Sequence, residues 1–363
     1  MAHLTQNRSK LLLGCGCAAL AMGLVMAPER ASAQAIQATE TIVDGSVSRN
    51  FTGSGTETIV VETPTAVVDW TPDEDGQGNA LDYLPVGNAV TFQNGVNNAD
   101  FAILNRILPS TNGNVAVFNG SVISQLLGAT GGATPGGTVV FYSPTGFLVG
   151  STASFDVGNL IMTTLDPSST FSDWAGTGQV GALDFVGAPG TTAQIIFAPG
   201  ATVTATSENS YFALVGAEVQ MFGDAFINGS HAYVGGEQVS LTVSNGLFDI
   251  AIPVGSSSPT PIVLAGNVGG PSSTGNTGDN HMIYAVAAAQ NDPISLLFSG
   301  NLGFDPAASA GIINGEIILS ANYEVSGRDV AGHNIDDTFA SFFFGRDELT
   351  DVAGSIFMED FAS

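Results

Sequence analysis

Apolar residues in this chain arrive in short bursts, and small or turn-forming residues part them. The clearest stretch is residues 136–164. It holds the runs Thr138–Tyr142, Phe147–Val149 and 155–163, rich in Val, Phe, Ile and Thr. Those residue types suit a pleated, packed surface. Ser143-Pro144-Thr145-Gly146 and Gly150-Ser151-Thr152 lie between the runs, and Pro and Gly there end each run and set a turn. None of the runs is long enough for a good helix. The pattern predicts strand, corner, strand, corner, strand, which is how a parallel β-helix is written.

The same texture extends along the chain. Residues 34–64 are Thr-rich and alternating, as in Glu57-Thr58-Ile59-Val60-Val61-Glu62, and are expected to cap the open end of the solenoid. Strands are expected in 82–85, 89–93, 101–104 and 115–123, the last broken by Asn119-Gly120, and a Gly/Thr/Pro loop over 126–137. Residues 168–178 are polar, with Trp174 tucked back onto the body. Ala213-Leu214-Val215-Gly216-Ala217-Glu218 recurs 19 residues later as Ala232-Tyr233-Val234-Gly235-Gly236-Glu237. A period near 20 residues fits one coil of three short strands and their corners. The 330 residues after position 33 would then form about 15 coils and a rod on the order of 70 Å if uninterrupted. Residues 256–279 look like an insertion around a short strand at Ile262–Leu264. Residues 283–290 read as strand rather than helix, and strand texture resumes at 294–298, 311–320 and 341–344. The last residues carry no membrane-barrel pattern. The abrupt ending fits a short or truncated solenoid.

Several of these pieces carry a resemblance. Ser143-Pro144-Thr145-Gly146-Phe147, then Gly150, then Asp156-Val157-Gly158-Asn159-Leu160 and Thr163-Thr164 stand in order and spacing. Asn105-Arg106-Ile107 and Asn119-Gly120-Ser121-Val122-Ile123 precede them. Together they resemble the amino-terminal two-partner-secretion domain of the filamentous haemagglutinin family of bacterial exoproteins. That family has an Asn-Pro-Asn-Gly-Ile turn, so Ser143 and Thr145 stand where it has asparagines. The likeness covers residues 34–170, with weaker repeat-like matches to about 250. It implies a right-handed parallel β-helix. It also implies an outer-membrane transporter as partner, with Asn105, Arg106, Ile107, Ser143, Pro144, Thr145, Gly146 and Gly150 as the candidate secretion motif.

The first residues read as a secretory leader. Arg8 and Lys10 are basic, 11–27 is apolar, and Ala31-Ser32-Ala33 is a small-x-small cleavage site, with Ala31 and Ala33 flanking it. Export by the Sec machinery, with a mature chain from Gln34, is the expectation. The apolar run is short for an anchor, and too few apolar residues precede Cys15 for a lipoprotein signal. Cys15 and Cys17 are the two cysteines. The mature chain would have no disulfide and no thiolate ligand.

Charge then narrows the partners. The chain holds 7 basic and 33 acidic residues. Removing Arg8, Lys10, Arg30 and Glu29 leaves 4 and 32, or −28. Such a chain repels nucleic acid and anionic lipid. Only 11% of residues are charged against 44% hydrophobic, so this is a packed body and not an acidic disordered tail. Uncharged polar residues on its surface can stack in ladders.

Candidate chemistry is sparse. His231, His281 and His333 lack a His-x-His or His-x-x-x-His partner, which argues against a zinc site; His231 reads as a surface rung. Asp73, Asp75 and Gly78 resemble a calcium loop over 73–82, but the twelfth position is Leu84, so a solvated acidic turn is preferred. No nucleophile elbow and no phosphate loop is written. A β-helix lyase would draw its base from Arg49, Arg106, Arg328 or Arg346, and a hydrolase its carboxylates from Asp336-Asp337 or Asp347/Glu348. Hydrated loop acids are the simpler reading. The expectation is a non-enzymatic exoprotein without cofactor. Residues 1–33 would be the leader, 34–170 the secretion domain and 171–363 the continuing β-helix. Its surface would serve adhesion or aggregation through glycans or proteins of other cells. A carbohydrate-active enzyme and a passive matrix protein are the alternatives.

Overall fold

The computed structural model describes residues 34–304, apart from 75–81, 109–112, 129–130, 245 and 275–278. It also describes the strands Glu316–Ser320, Glu324–Val325 and Ser355–Glu359. The chain is a parallel β-helix with three faces. The first face stacks Thr56–Val61, Ala89–Asn94, Ser121–Leu127, Ser154–Asp156, the start of Thr202–Gly216, the start of Asp224–Ser244, Asn267–Gly270 and Asn301–Phe304. The second begins with Thr65–Pro72, Ala102–Ile107, Thr138–Tyr142 and Asn159–Thr163. It continues through the later parts of the two long strands to Met282–Ala287, Glu316–Ser320 and Ser355–Glu359. The third is shorter, from Ala116–Phe118 through Phe147–Val149, Gln194–Phe197, Glu218–Met221 and Ile262–Leu264 to Leu296–Phe298.

The 19-residue repeat is one coil: Ala213 pairs with Ala232, Leu214 with Tyr233, Val215 with Val234 and Gly216 with Gly235. Among the described residues the coils are fewer than a uniform period gives. The second face has nine rungs among the described residues, so the stack is on the order of 40 Å long. Insertions lengthen the other coils; stacked Leu160 and Phe212 are 52 residues apart.

Alternate residues point inward and build one continuous core. On the second face Ala66, Ile103, Val139, Leu160, Phe212 and Ile283 stack in register inside it. His231 belongs to this column as well. It is fully buried rather than a surface rung, paired in register between Phe212 and Ile283. Its Nε2 donates to the Gly269 carbonyl at 2.9 Å and its Nδ1 lies 3.2 Å from the Tyr233 hydroxyl. Burial pushes its pKa down to about 3, so the imidazole is neutral. Aromatic rings form a chain along the axis: Tyr83, Phe118, Phe155, Phe197, Phe212, His231 and Phe304, with successive centroids 5.0–6.3 Å apart.

The outer side of the second face is covered, which no short-range pattern announced. Leu104, Val140, Ile161, Ala213, Ala232 and Tyr284 are buried in a second cluster. The cover is the helix Ser168–Gly176 and an antiparallel sheet of Ala182–Val186, the last third of Asp224–Ser244 and Leu247–Gly255. The helix lies in the stretch expected to be merely polar. Phe171 and Trp174, three apart on one helical face, are buried and hold it down. The expected loop at 126–137 is instead partly a hairpin, with Ala133–Pro135 antiparallel to the end of Ser121–Leu127.

On the exposed side of the first face, polar residues stack as anticipated. Ser121 and Ser154 hydroxyls lie 2.8 Å apart, and the Gln125 amide donates to Gln93 at 3.2 Å. Asn267 donates to Asp224 at 2.7 Å and Asn301 donates to Asn267 at 2.6 Å. Neutral partners let these rungs bond without like-charge repulsion.

The amino-terminal residues do cap the first coil. Ala38–Asp44 pairs antiparallel with Thr65–Pro72, and Val47–Gly53 antiparallel with Thr56–Val61. Glu57 occupies the inward register filled by Val90, Val122, Phe155 and Val203 in later coils. Its buried carboxylate accepts from the Ala35 and Ile36 amides, each at 3.2 Å, and from Arg49 Nε at 3.0 Å. Arg49 also donates to the carbonyls of Ala38 at 3.0 Å and Ile36 at 2.7 Å, and its guanidinium sits 5.2 Å over the Trp70 ring. The bare core end is thus closed by a fully bonded ion pair.

Candidate functional site

The secretion-motif candidates, scattered over 46 positions from Asn105 to Gly150, fall on adjacent coils. Asn105 lies on the second face and points inward, fully buried. Its Oδ1 accepts from the Trp70 indole at 3.0 Å and its Nδ2 donates to the Val140 carbonyl at 3.3 Å. It is an internal tie between three rungs. Asn105→Ala is expected to cost about 1–3 kcal/mol by orphaning the indole N–H, read as a lower denaturant midpoint at unchanged slope. Ile107 is buried beyond it in the same strand.

Arg106 alternates outward. Its Nε and Nη2 bind Asp69 Oδ1 and Oδ2 at 2.6 and 2.8 Å, a bidentate fork, and its Nη1 donates to Ser168 Oγ at 3.1 Å. The Asp69 hydrogen bond holds the guanidinium pKa up. Asp166 accepts from the Ser168 amide at 2.8 Å and also from its hydroxyl. Tyr142 pairs in register with Arg106 on the next rung; burial first, and Asp166 second, raise its phenol to about 12. A charged cluster of Asp69, Arg106, Asp166 and Ser168 with the Tyr142 phenol therefore forms at the start of the covering helix. The sequence showed Arg106 but neither of its partners, because Asp69 lies one coil away and Ser168 two rungs beyond.

Tyr142 leads straight into the turn. The Ser143 and Thr145 hydroxyls lie 3.1 Å apart, and Thr145 donates to the Asn114 carbonyl at 2.8 Å. Asparagines are absent from the turn, yet hydroxyls close it. Gly146 has φ +101°, and a side chain there would meet the Gln194 carbonyl at 2.5 Å, so only glycine fits. Pro144 and Thr145 stay partly exposed at the tip. Gly150 makes the next corner: its amide donates to the Phe118 carbonyl at 2.7 Å, and the Asn119 side chain fills the place of a Cβ. Arg106, Tyr142 and the 143–146 turn thus share one edge of the solenoid, while Asn105, Ile107 and Gly150 are structural supports.

Other expectations fall elsewhere. Asp82, at the end of the suggested calcium loop, accepts from Asn119 Nδ2 at 2.7 Å, and residues 75–81 lie outside the described residues. So do Ala31 and Ala33 with the rest of the expected leader, His333, Arg328, Arg346, Asp336, Asp337, Asp347 and Glu348. Sequence reasoning passed over one constellation. Glu208, Asp279 and His281 come together with their ligand atoms within 4.8 Å of one another. Asp279-Asn280-His281 puts two donors on one side of an extended segment, but the third comes from 71 positions upstream of Asp279.

No family model matches the chain, and no curated protein matches it. Among solved structures it is similar to the HMW1 secretion domain from Haemophilus influenzae, at 17% identity and a TM-score of 0.54. The match covers 78% of this chain and 63% of that one, so the chain spans less than two thirds of that domain's length. At such identity the likeness is one of architecture alone.

Proposed function

We propose that this chain is a two-partner-secretion exoprotein of the filamentous haemagglutinin type. Residues 34–170 address it to an outer-membrane transporter after Sec-dependent export, and the solenoid displays a surface for adhesion or aggregation outside a Gram-negative cell. The observation that carries this reading is the convergence of Arg106, Tyr142 and the 143–146 turn on one edge of a capped β-helix with a secretion-domain fold. The architecture suits the mechanism, because each coil packs on its neighbour and folding can propagate from one end as chain emerges. A binding and transport role is the reading, supported by the likeness to a solved secretion domain.

The test is secretion from a Gram-negative host with and without a co-expressed outer-membrane transporter of the two-partner-secretion type. Transporter-dependent appearance in the medium is expected. Arg106→Ala should trap most of the chain in the periplasm while lowering stability by only about 1 kcal/mol or less, since its ion pair is partly solvated. Secretion that ignores the transporter would remove the proposal.

A further inference from the structure

The geometry points to Glu208, Asp279 and His281 as a binding site for a divalent transition-metal ion of the Zn²⁺ class, joining two corners of the solenoid across the coil between them. The three residues lie where the chain passes from the first face to the second. Glu208 is in the corner before the rung that contains Phe212, and Asp279 and His281 are in the corner before the rung Met282–Ala287. The intervening coil turns tightly at Asn228-Gly229, and the longer corners on either side meet across it. The two corners already touch, with the Asn280 backbone amide donating to the Asn209 side-chain Oδ1 at 3.1 Å.

Each donor is oriented. His281 is 1% exposed. Its Nδ1 sits 2.7 Å from the Pro271 carbonyl, which can only accept, so Nδ1 carries the proton. In a neutral imidazole Nε2 then carries the lone pair, the arrangement that metal-binding histidines use. Nε2 has no hydrogen-bond partner and faces Asp279 Oδ1 at 3.1 Å and Glu208 Oε1 at 3.6 Å. Asp279 Oδ2 is bonded by the Thr274 amide and hydroxyl, which aims the unpartnered Oδ1 at the imidazole. Glu208 Oε2 accepts from Asn228 at 3.4 Å, leaving Oε1 for the centre.

With the imidazole neutral, a lone pair and two carboxylate oxygens facing one another repel unless a metal ion sits among them; a proton on Nε2 would instead make an ion pair with the two acids. A tetrahedral ion with bonds of about 2.0–2.1 Å sets its donors roughly 3.4 Å apart, close to the two separations found. One imidazole nitrogen with two carboxylates suits Zn²⁺ or its neighbours and does not suit Ca²⁺, which takes six to eight oxygens. The donors come from different coils, so the site exists only in the folded solenoid, and binding stabilises that state alone.

The test is calorimetric titration of Zn²⁺ into the chelator-stripped full chain, with Cys15 and Cys17 alkylated so that their thiols bind nothing. One saturable site and a raised Tm are expected, together with the visible absorption of a tetrahedral centre when Co²⁺ replaces Zn²⁺. His281→Gln should weaken binding by at least about ten-fold. Glu208→Gln, at an exposed side chain whose loss leaves the fold intact, should do so as well, with the Tm of the stripped protein unchanged. Equal Zn²⁺ affinity in wild type and Glu208→Gln, or no saturable site in wild type, would overturn the assignment and leave an imidazolium–carboxylate pair.

Discussion

Phe118→Ala is expected to destabilise the chain by about 3–5 kcal/mol, the largest loss from any single apolar truncation. Phe118 is fully buried on the third face, and its ring meets side chains from several directions. Tyr83 lies 5.0 Å away, Phe141 5.1 Å, Phe155 5.9 Å and Phe147 6.0 Å, centroid to centroid. The void left by alanine cannot easily close, because hydrogen-bonded ladders on all three faces fix the wall around it. The cost therefore combines lost transfer energy with a persistent cavity. Coils interact mainly with their neighbours, so the amino-terminal coils should open first. Denaturant unfolding together with limited proteolysis would check both parts. Leu148→Ala, on the adjacent rung but pointing outward and 38% exposed, should change stability by no more than about 0.5 kcal/mol.

Arg49→Ala should be of similar size, about 3–5 kcal/mol, because it leaves the Glu57 carboxylate buried without its counter-charge. The loss should depend on pH in a definite direction. Burial raises the Glu57 pKa above 4.5, and Arg49 is the chief influence lowering it. Removing Arg49 raises the folded-state value further. A carboxyl with a raised folded pKa favours folding when protonated, and that advantage disappears as pH rises through the folded value. The Arg49→Ala deficit is therefore greatest near neutral pH and shrinks as pH falls toward 4.5. Adding Glu57→Gln should return part of the stability at neutral pH, since an amide needs no counter-ion. A deficit that is flat with pH, or that deepens in acid, would show that Arg49 acts through its carbonyl contacts instead.

The two cases show which parts of the molecule could be read directly. The short apolar runs at Thr138–Tyr142 and 155–163, with Pro144, Gly146 and Gly150 between, announced strands and corners because run length and turn chemistry are local, although the second run divides into Ser154–Asp156 and Asn159–Thr163 on two faces. The repeat from Ala213 to Ala232 gave the register of one coil correctly. Glu57 looked like an ordinary polar position on an alternating strand, and His231 like a surface rung after an Asn-Gly-Ser turn. Their burial depends on what lies above and beside them: a cap with its own arginine in one case, and a hydrogen-bonding Gly269 carbonyl and Tyr233 in the other.

Residue type and spacing alone determined the β-helical class and the capping role of the first strands. Tertiary structure decided how many coils there are, what covers the second face, which motif residues are reachable and where Glu208 meets His281. The physical reason is distance along the chain. Turns and alternation act within a few residues, whereas a coil places residues 19 to 52 positions apart in contact, and only the inserted lengths between them set which ones meet.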